Sequence, residues 1–358
     1  MRVDLAASVE RSCARHTDVK RLRLAILDDL AAAIPFAGHV WVLTDPVTGV
    51  GTIPLATVPG LPLSRIPDLI RSRYLTPVNR WNELIGSKRF ADGLRHATHD
   101  EPSRSRLWRE ILADLRAGDV ASVVFADRFG CWGWLDLWRF PPAPPFADDE
   151  ILRLLAIRPA VTTALRAGQA RNFGRPRTAG EGTGPAVVIL DHDLHVRGQT
   201  ARAGHRLYRL NPPDPGSDGR PSGVAAIPAA AYNVAAQLIA REHGIDDAPA
   251  RSRVYLDDLG WLTLEADRMT ADETATARDI AVSIEESGLA DRREMFSRAV
   301  GLTHREDEVL GLLLAGRDTR AMALELVVSE YTVVDHVKAV LAKAGCPGRQ
   351  ALLATVAG

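Results

Sequence analysis

Between Arg320 and Lys343 the chain sets out side chains suited to holding a polyanion and reading what it carries. Arg320, Lys338 and Lys343 offer cations to phosphate oxygens, and Ser329 and Thr332 offer hydroxyls. Tyr331 and Asp335 add a phenol and a carboxylate, groups that meet base edges in a groove. The charge balance works against this chemistry. Seven Lys/Arg from Arg298 to Arg349 face seven Asp/Glu from Glu306 to Asp335. Phosphate contacts supply most non-specific affinity, so binding is expected to be weak or to depend on pairing two copies.

Those residues need elements to position them, and local signals provide them. Thr303 followed by Glu306 is a capping box that opens a helix. Val309, Leu310, Leu312, Leu313 and Leu314 supply its apolar face, and Gly316 falls where a left-handed stop is wanted. A second helix is predicted over residues 319–326, with Met322, Ala323 and Leu326 inward, followed by an apolar corner at Val327 and Val328. Ser329 caps a third helix running to about Ala344, whose inner face is Val333, Val337, Val340, Leu341 and Ala344. Tyr331, Val334, Asp335 and Lys338 are left facing outward. Gly345 ends this helix, and a last one covers residues 349–356. A short helix, a tight corner and a capped second helix is an arrangement that lays a helix in the DNA major groove. Spacing alone equally allows a small bundle that packs against another surface.

The ordered set Leu302-Thr303-His304-Arg305-Glu306-Asp307-Glu308-Val309-Leu310, Gly316 and Ser329-Glu330-Tyr331-Thr332-Val333 resembles the DNA-binding domain of LuxR-type transcription regulators. The resemblance covers roughly the last sixty residues and implies a four-helix module built on a helix-turn-helix. It also exposes two departures. Members of that family tend to carry Lys-Glu-Ile-Ala where this chain has Arg320-Ala321-Met322-Ala323, and a Lys after Thr-Val where this chain has Val334.

The remaining composition is that of a globular protein, with 46% hydrophobic and 25% charged residues and a net charge of −1. No excess of one sign draws the whole chain to nucleic acid or membrane. Cys13, Cys131 and Cys346 have neither disulfide-framework nor zinc spacing. The charged N-terminus lacks the apolar core of a signal peptide, and no window is apolar enough to span a bilayer. A cytoplasmic protein is expected.

Three parts precede the tail. Residues 1–170 alternate helical and strand patterns. A helix over 22–34 is followed by strands at 39–43 and 51–58, a helix at 66–74, a hairpin at 120–140 and a closing helix from Asp148. This α+β layout is similar to a GAF domain, chiefly through Trp132-Gly133-Trp134-Leu135-Asp136-Leu137-Trp138-Arg139 and Pro145-Phe146 leading into Asp148-Asp149-Glu150. Period-two alternation puts Trp132, Trp134 and Trp138 on one strand face. With Trp41 on a neighbouring strand, Trp132 and Trp134 are the candidate aromatic wall of a small-molecule pocket. The same rings serve equally as packing under helices. Residues 171–185, rich in Gly, Pro and Arg, read as a mobile linker. Residues 186–290 resemble a reduced PAS domain through the Asp191-His192-Asp193-Leu194 turn and the hairpin at 253–265, interrupted by a Pro-rich loop at 211–223. The Asp/His cluster in that turn is ordinary turn chemistry rather than a metal site. The helix-turn-helix domain occupies residues 296–358.

No nucleotide-binding glycine loop, metalloprotease motif, nucleophile elbow or calcium loop is present, and His96 and His99 sit in a loop pattern. Neither an enzyme nor a cofactor is expected. The expected partners are double-stranded DNA, a second copy of the chain, a small-molecule effector and RNA polymerase. The closing helix over 148–166 is the candidate dimer face, kinked at Pro159. An interaction protein of weakened DNA affinity, acting on a partner regulator, is the alternative.

Overall fold

The computed structural model describes residues 4–175, 184–212, 227–257, 259–269 and 279–357. The first unit contains α1 (Leu5–Arg15), α2 (Val19–Ala33), β1 (Gly38–Thr44), β2 (Gly51–Thr57), α3 (Ile66–Leu75), α4 (Trp81–Gly86), β3 (Ala91–Gly93), α5 (Leu94–Ala97), β4 (Asp119–Asp127), β5 (Gly130–Arg139) and α6 (Asp148–Phe173). Its antiparallel sheet has the order β2-β1-β5-β4-β3. The second unit contains β6 (Val187–Leu190), β7 (Val196–Gln199), α7 (Ala201–Leu210), α8 (Ala229–Glu242), β8 (Arg251–Leu256), β9 (Gly260–Arg268) and β10 (Ile280–Glu286). Its sheet order is β7-β6-β10-β9-β8. Counted within each unit, the two orders are the same, so one strand topology is used twice in a chain whose sequence shows no repeat. The all-helical tail follows: α9 (Leu289–Val300), α10 (His304–Leu314), α11 (Thr319–Leu326), α12 (Glu330–Ala344) and α13 (Arg349–Ala357).

Local chemistry accounts for the element ends. Asp4 and Asp18 accept backbone N–H bonds at the starts of α1 and α2. Glu150 reaches back to the Ala147 N–H, so α6 starts one residue after Ala147 and continues through Pro159 to Phe173. The turn joining β6 and β7 is held by Asp191, whose carboxylate accepts from the Asp193 and His195 N–H groups at 3.0 and 2.9 Å. Among the described residues, no group of three or more His, Cys, Asp or Glu is placed to hold a metal ion. Nor is any described helix long and apolar enough to cross a membrane.

Several expectations are corrected. The three β5 tryptophans do not share a face. Phe125 pairs with Gly133 and Ala126 with Cys131, so Trp132 is the extra, bulged residue of β5, which reverses the alternation there. Trp134 and Trp138 pack with Val40, Val42, Leu69 and Tyr74 on the α3 side. Trp132 and Trp41 instead join Leu22, Ile26 and Leu165 under α1, α2 and α6. The aromatic wall of Trp41, Trp132 and Trp134 is therefore split across the sheet. The expected linker is also shorter at its start, because α6 extends through residue 173 and buries Phe173. Of its arginines, Arg171 donates to the Thr17 carbonyl at 2.7 Å and Arg175 pairs with Asp257 at 2.8 Å. Arg177 and most of the Pro-rich loop lie outside the described residues. The α6 face proposed for dimerisation is occupied internally. Of Ile151, Leu154, Leu155 and Leu165, the apolar residues that suggested it, Leu154 and Leu165 are buried where α6 meets α1, β4 and α9. Ile151 and Leu155 are half-buried at the edge of the same core.

The border near residue 291 is not a linker. It lies inside α9, which packs along α6. Two clusters pin it, each drawing on all three parts of the chain. Phe173 of α6 stacks on Trp261 of β9 at 4.6 Å between centroids and meets Phe296 of α9 edge-on at 5.2 Å. Arg253 of β8, its side chain fully enclosed, donates to both carboxylate oxygens of the equally enclosed Asp45, at 2.7 and 3.1 Å. The same guanidinium reaches Glu294 of α9 at 2.7 Å. Burial alone would lower its pKa, but Asp45 and Glu294 hold it above the ordinary arginine value.

Candidate nucleic-acid interface

The tail is built from capped helices around a small core. Thr303 accepts from the Glu306 N–H at 3.3 Å, and Glu306 accepts from the Thr303 N–H at 2.6 Å, closing the capping box that starts α10. Gly316 (φ +75°) and Gly345 (φ +63°) take the left-handed conformations that stop α10 and α12. Asp318 caps α11 by accepting from Ala321 at 2.8 Å, and Ser329 caps α12 by accepting from Thr332 at 3.1 Å. Val309, Leu310, Leu313, Met322, Val333, Val337, Val340, Leu352 and Val356 are buried between these helices. Each such side chain contributes about 1.5–3 kcal/mol by leaving water. Val327 departs from the expected apolar corner. It is 88% exposed and left-handed at φ +55°, turning the chain between α11 and α12.

Burial of Val333, Val337 and Val340 fixes the rotation of α12 and so decides what it presents. Tyr331 is 75% exposed, Asp335 and Lys338 are exposed, and Val334 is half-buried on the flank of the same stripe. Asp335 and Lys338 are linked at 3.5 Å. Thr332, half-buried, shares a 2.9 Å hydroxyl–hydroxyl contact with Ser329. Arg320 is exposed on α11 and takes no ion pair among the described residues. Ser329, Tyr331, Thr332, Val334, Asp335 and Lys338 run from the α11–α12 corner along α12, while Arg320 lies in the first turn of α11.

Lys343 lies elsewhere. Its ammonium donates to the Glu306 carboxylate at 2.6 Å and to the Gly301 carbonyl at 3.2 Å, which ties the end of α12 to the start of α10. Burial pushes the Glu306 carboxyl up, but Lys343 and Thr303 together hold it below its usual range. Lys343 thus serves the cap. Other tail cations are similarly engaged: Arg305 with Glu308 and the Leu326 carbonyl, Arg317 with Glu325, and Arg349 with the Thr319 hydroxyl. Arg320 takes no ion pair among the described residues, and Lys338 is exposed beside Asp335. Sequence reasoning missed the Lys343–Glu306 pair because it joins residues far apart in the chain.

The upstream units contain a second polar cluster that the sequence did not signal. Arg73 of α3 pairs with Asp136 of β5 at 2.8 Å, and Ser122 of β4 donates to the same carboxylate at 2.6 Å, all buried. Arg73 also lies over the Trp134 ring at 5.0 Å. Trp134 therefore backs a satisfied ion pair, while Trp41 stacks on Phe125 and Trp132 donates to Asp127 at 3.1 Å. All three rings also pack within the unit, and Trp132 and Trp134 both line one large cavity.

No curated protein matches the chain. Residues 300–356, spanning the end of α9 through α13, match the family model described as bacterial regulatory proteins, luxR family.

Proposed function

We propose that the chain is a DNA-binding transcription regulator in which the two sheet-containing units govern a C-terminal LuxR-type helix-turn-helix. The observation that carries this reading is the capped pair α11 and α12. It presents an exposed Tyr331, Asp335 and Lys338 on α12 and an exposed Arg320 at the start of α11, within the segment that matches the luxR family model. α12 enters the major groove, with Tyr331, Thr332 and Asp335 nearest the bases and Arg320 and Lys338 at the flanking phosphates. Two such cations per chain are few. A dimer reading two half-sites about one helical turn apart provides the affinity that one copy lacks. RNA polymerase is the partner through which such a bound dimer acts, and the chain is not an enzyme.

Control runs through α9. This helix leaves the second sheet, meets the first unit along α6 and ends at Gly301, where the family match has begun. A change in how the two sheets sit against each other must disturb Arg253, which from β8 bonds both Asp45 at the end of β1 and Glu294 of α9. The GAF-like and PAS-like readings of the two units rest on the tryptophan run of β5 and on the turn at 191–194 with the hairpin at 253–265. The shared five-strand order supports a common architecture for the two. A small-molecule effector acts only if it binds the two arrangements with different affinity. The test is fluorescence anisotropy of the full chain on duplexes selected from a randomised pool, across a salt series. Lys338→Ala should weaken binding on every sequence and reduce the salt slope by about one per copy. A chain that binds no duplex at low salt returns the tail to the interaction-protein alternative.

A further inference from the structure

We infer that α12 reads thymine-containing steps by apolar contact with the thymine methyl group, through Tyr331 and Val334, in place of bidentate hydrogen bonding. The inference rests on the DNA-binding reading above and specifies which sequences that surface accepts. The N-terminal residues of a groove-docked second helix are those that reach base edges. Here that segment is Glu330-Tyr331-Thr332-Val333-Val334-Asp335-His336-Val337. It contains no Arg, Lys, Asn or Gln, the side chains that hold guanine O6/N7 or adenine N6/N7 with paired bonds.

Two of its polar side chains take partners within the tail, while Glu330 is exposed and His336 half-buried. The Thr332 hydroxyl is engaged with Ser329, and the Asp335 carboxylate is engaged with Lys338. The apolar groups the segment offers outward are the Tyr331 ring, 75% exposed, and the half-buried Val334 one turn on. The apolar surface continues over the corner. Val327 (88% exposed), Tyr331 (75%) and Leu324 (74%) are the three most exposed large hydrophobics among the described residues. Such a patch marks a surface that is covered in use. On the floor of the major groove, the apolar atoms able to cover it are thymine C5-methyl groups.

The experiment uses the full chain and the duplexes it selects from a randomised pool. Thymidine is replaced by deoxyuridine one position at a time, which deletes a single methyl group and leaves base pairing intact. Affinity should fall roughly fourfold at one or two positions in each half-site, the effect of one lost buried methyl. Val334→Ala should remove that sensitivity, and Val334→Thr, which retains a methyl, should preserve it. Both side chains are at the surface, and unchanged melting will show that the fold is kept. Tight binding that is indifferent to deoxyuridine at every position overturns the inference while leaving the regulator reading intact. So does selection of a site read through guanine. Uniform affinity together with loss of self-association in Val327→Asp would assign the apolar surface to protein contact. Absence of binding to any duplex overturns both.

Discussion

Replacing Arg253 by Ala removes a side chain that, from β8 of the second sheet, bonds both Asp45 at the end of β1 and Glu294 of α9. Its guanidinium makes two bonds to Asp45, at 2.7 and 3.1 Å, and one to Glu294 at 2.7 Å. After truncation, the enclosed Asp45 carboxylate keeps the backbone N–H groups of Val47 and residue 253, at 2.8 and 2.9 Å, but loses its countercharge. Leaving one partner of a buried pair uncompensated costs about 3–5 kcal/mol. Asp45→Asn should cost less, because Arg253 keeps Glu294 and, at 3.4 Å, Asp291. Glu294→Gln should cost no more than about 1 kcal/mol, since that carboxylate is 41% exposed and screened. Arg253→Lys keeps the charge without the planar fork and should fall between the extremes. Urea unfolding followed by tryptophan fluorescence reads these differences, and hydrogen exchange along α9 reads their reach. Exchange in α9 should rise for Arg253→Ala. A loss under about 1 kcal/mol for that variant, or α9 amides as protected as in the parent, would refute the claim that Arg253 locks the junction.

Three further outcomes follow from the tail. Arg320→Ala removes a cation assigned to phosphate from each copy, so the salt dependence of DNA binding should flatten by about one per copy; an unchanged slope would place Arg320 away from phosphate. Val327→Gly should stabilise the tail by about 1 kcal/mol, the left-handed strain of a β-branched residue at φ +55° exceeding the entropy cost of glycine; a lower melting temperature would contradict this. Glu306→Gln should destabilise by about 1–2 kcal/mol at neutral pH through loss of the charge-assisted bond to Lys343. Because the folded Glu306 carboxyl titrates below its usual range, its contribution is present above the unfolded value near 4.5 and disappears as pH falls through the folded value. Parent and variant melting temperatures should therefore converge in acid, and a gap that persists at pH 3 would argue against this origin.

What was legible in the sequence was local. Thr303 with Glu306, Gly316, Ser329 and Gly345 each mark a helix end through bonds within a few residues, so α10, α11 and α12 were delimited to within a residue or two. The outward stripe of α12 followed from its valine spacing. The upstream errors were non-local. Alternation along β5 is broken by a bulge whose cause is register against β4, and this alone moves Trp132 to the other face. The apolar surplus of α6 suggested a second copy because α1, which covers part of it, was not foreseen. Residues 289–300 read as a border because the partners of α9 come from Phe173, Trp261 and Arg253, far away in the chain. Lys343 was grouped with the phosphate contacts because its bond to Glu306 spans 37 residues.

The most direct test of the account is the affinity of the full chain for a selected duplex, measured against salt from roughly 50 to 200 mM. With Arg320 and Lys338 contributing from each of two copies, log affinity should fall against log salt with a slope of about −3 to −4, and Lys338→Ala should reduce it to about −2. Saturable binding at 50 mM salt with that slope, lost when Arg320 and Lys338 are both replaced by Ala, is the predicted result. No saturable binding at micromolar protein, or a slope untouched by both replacements, would contradict it.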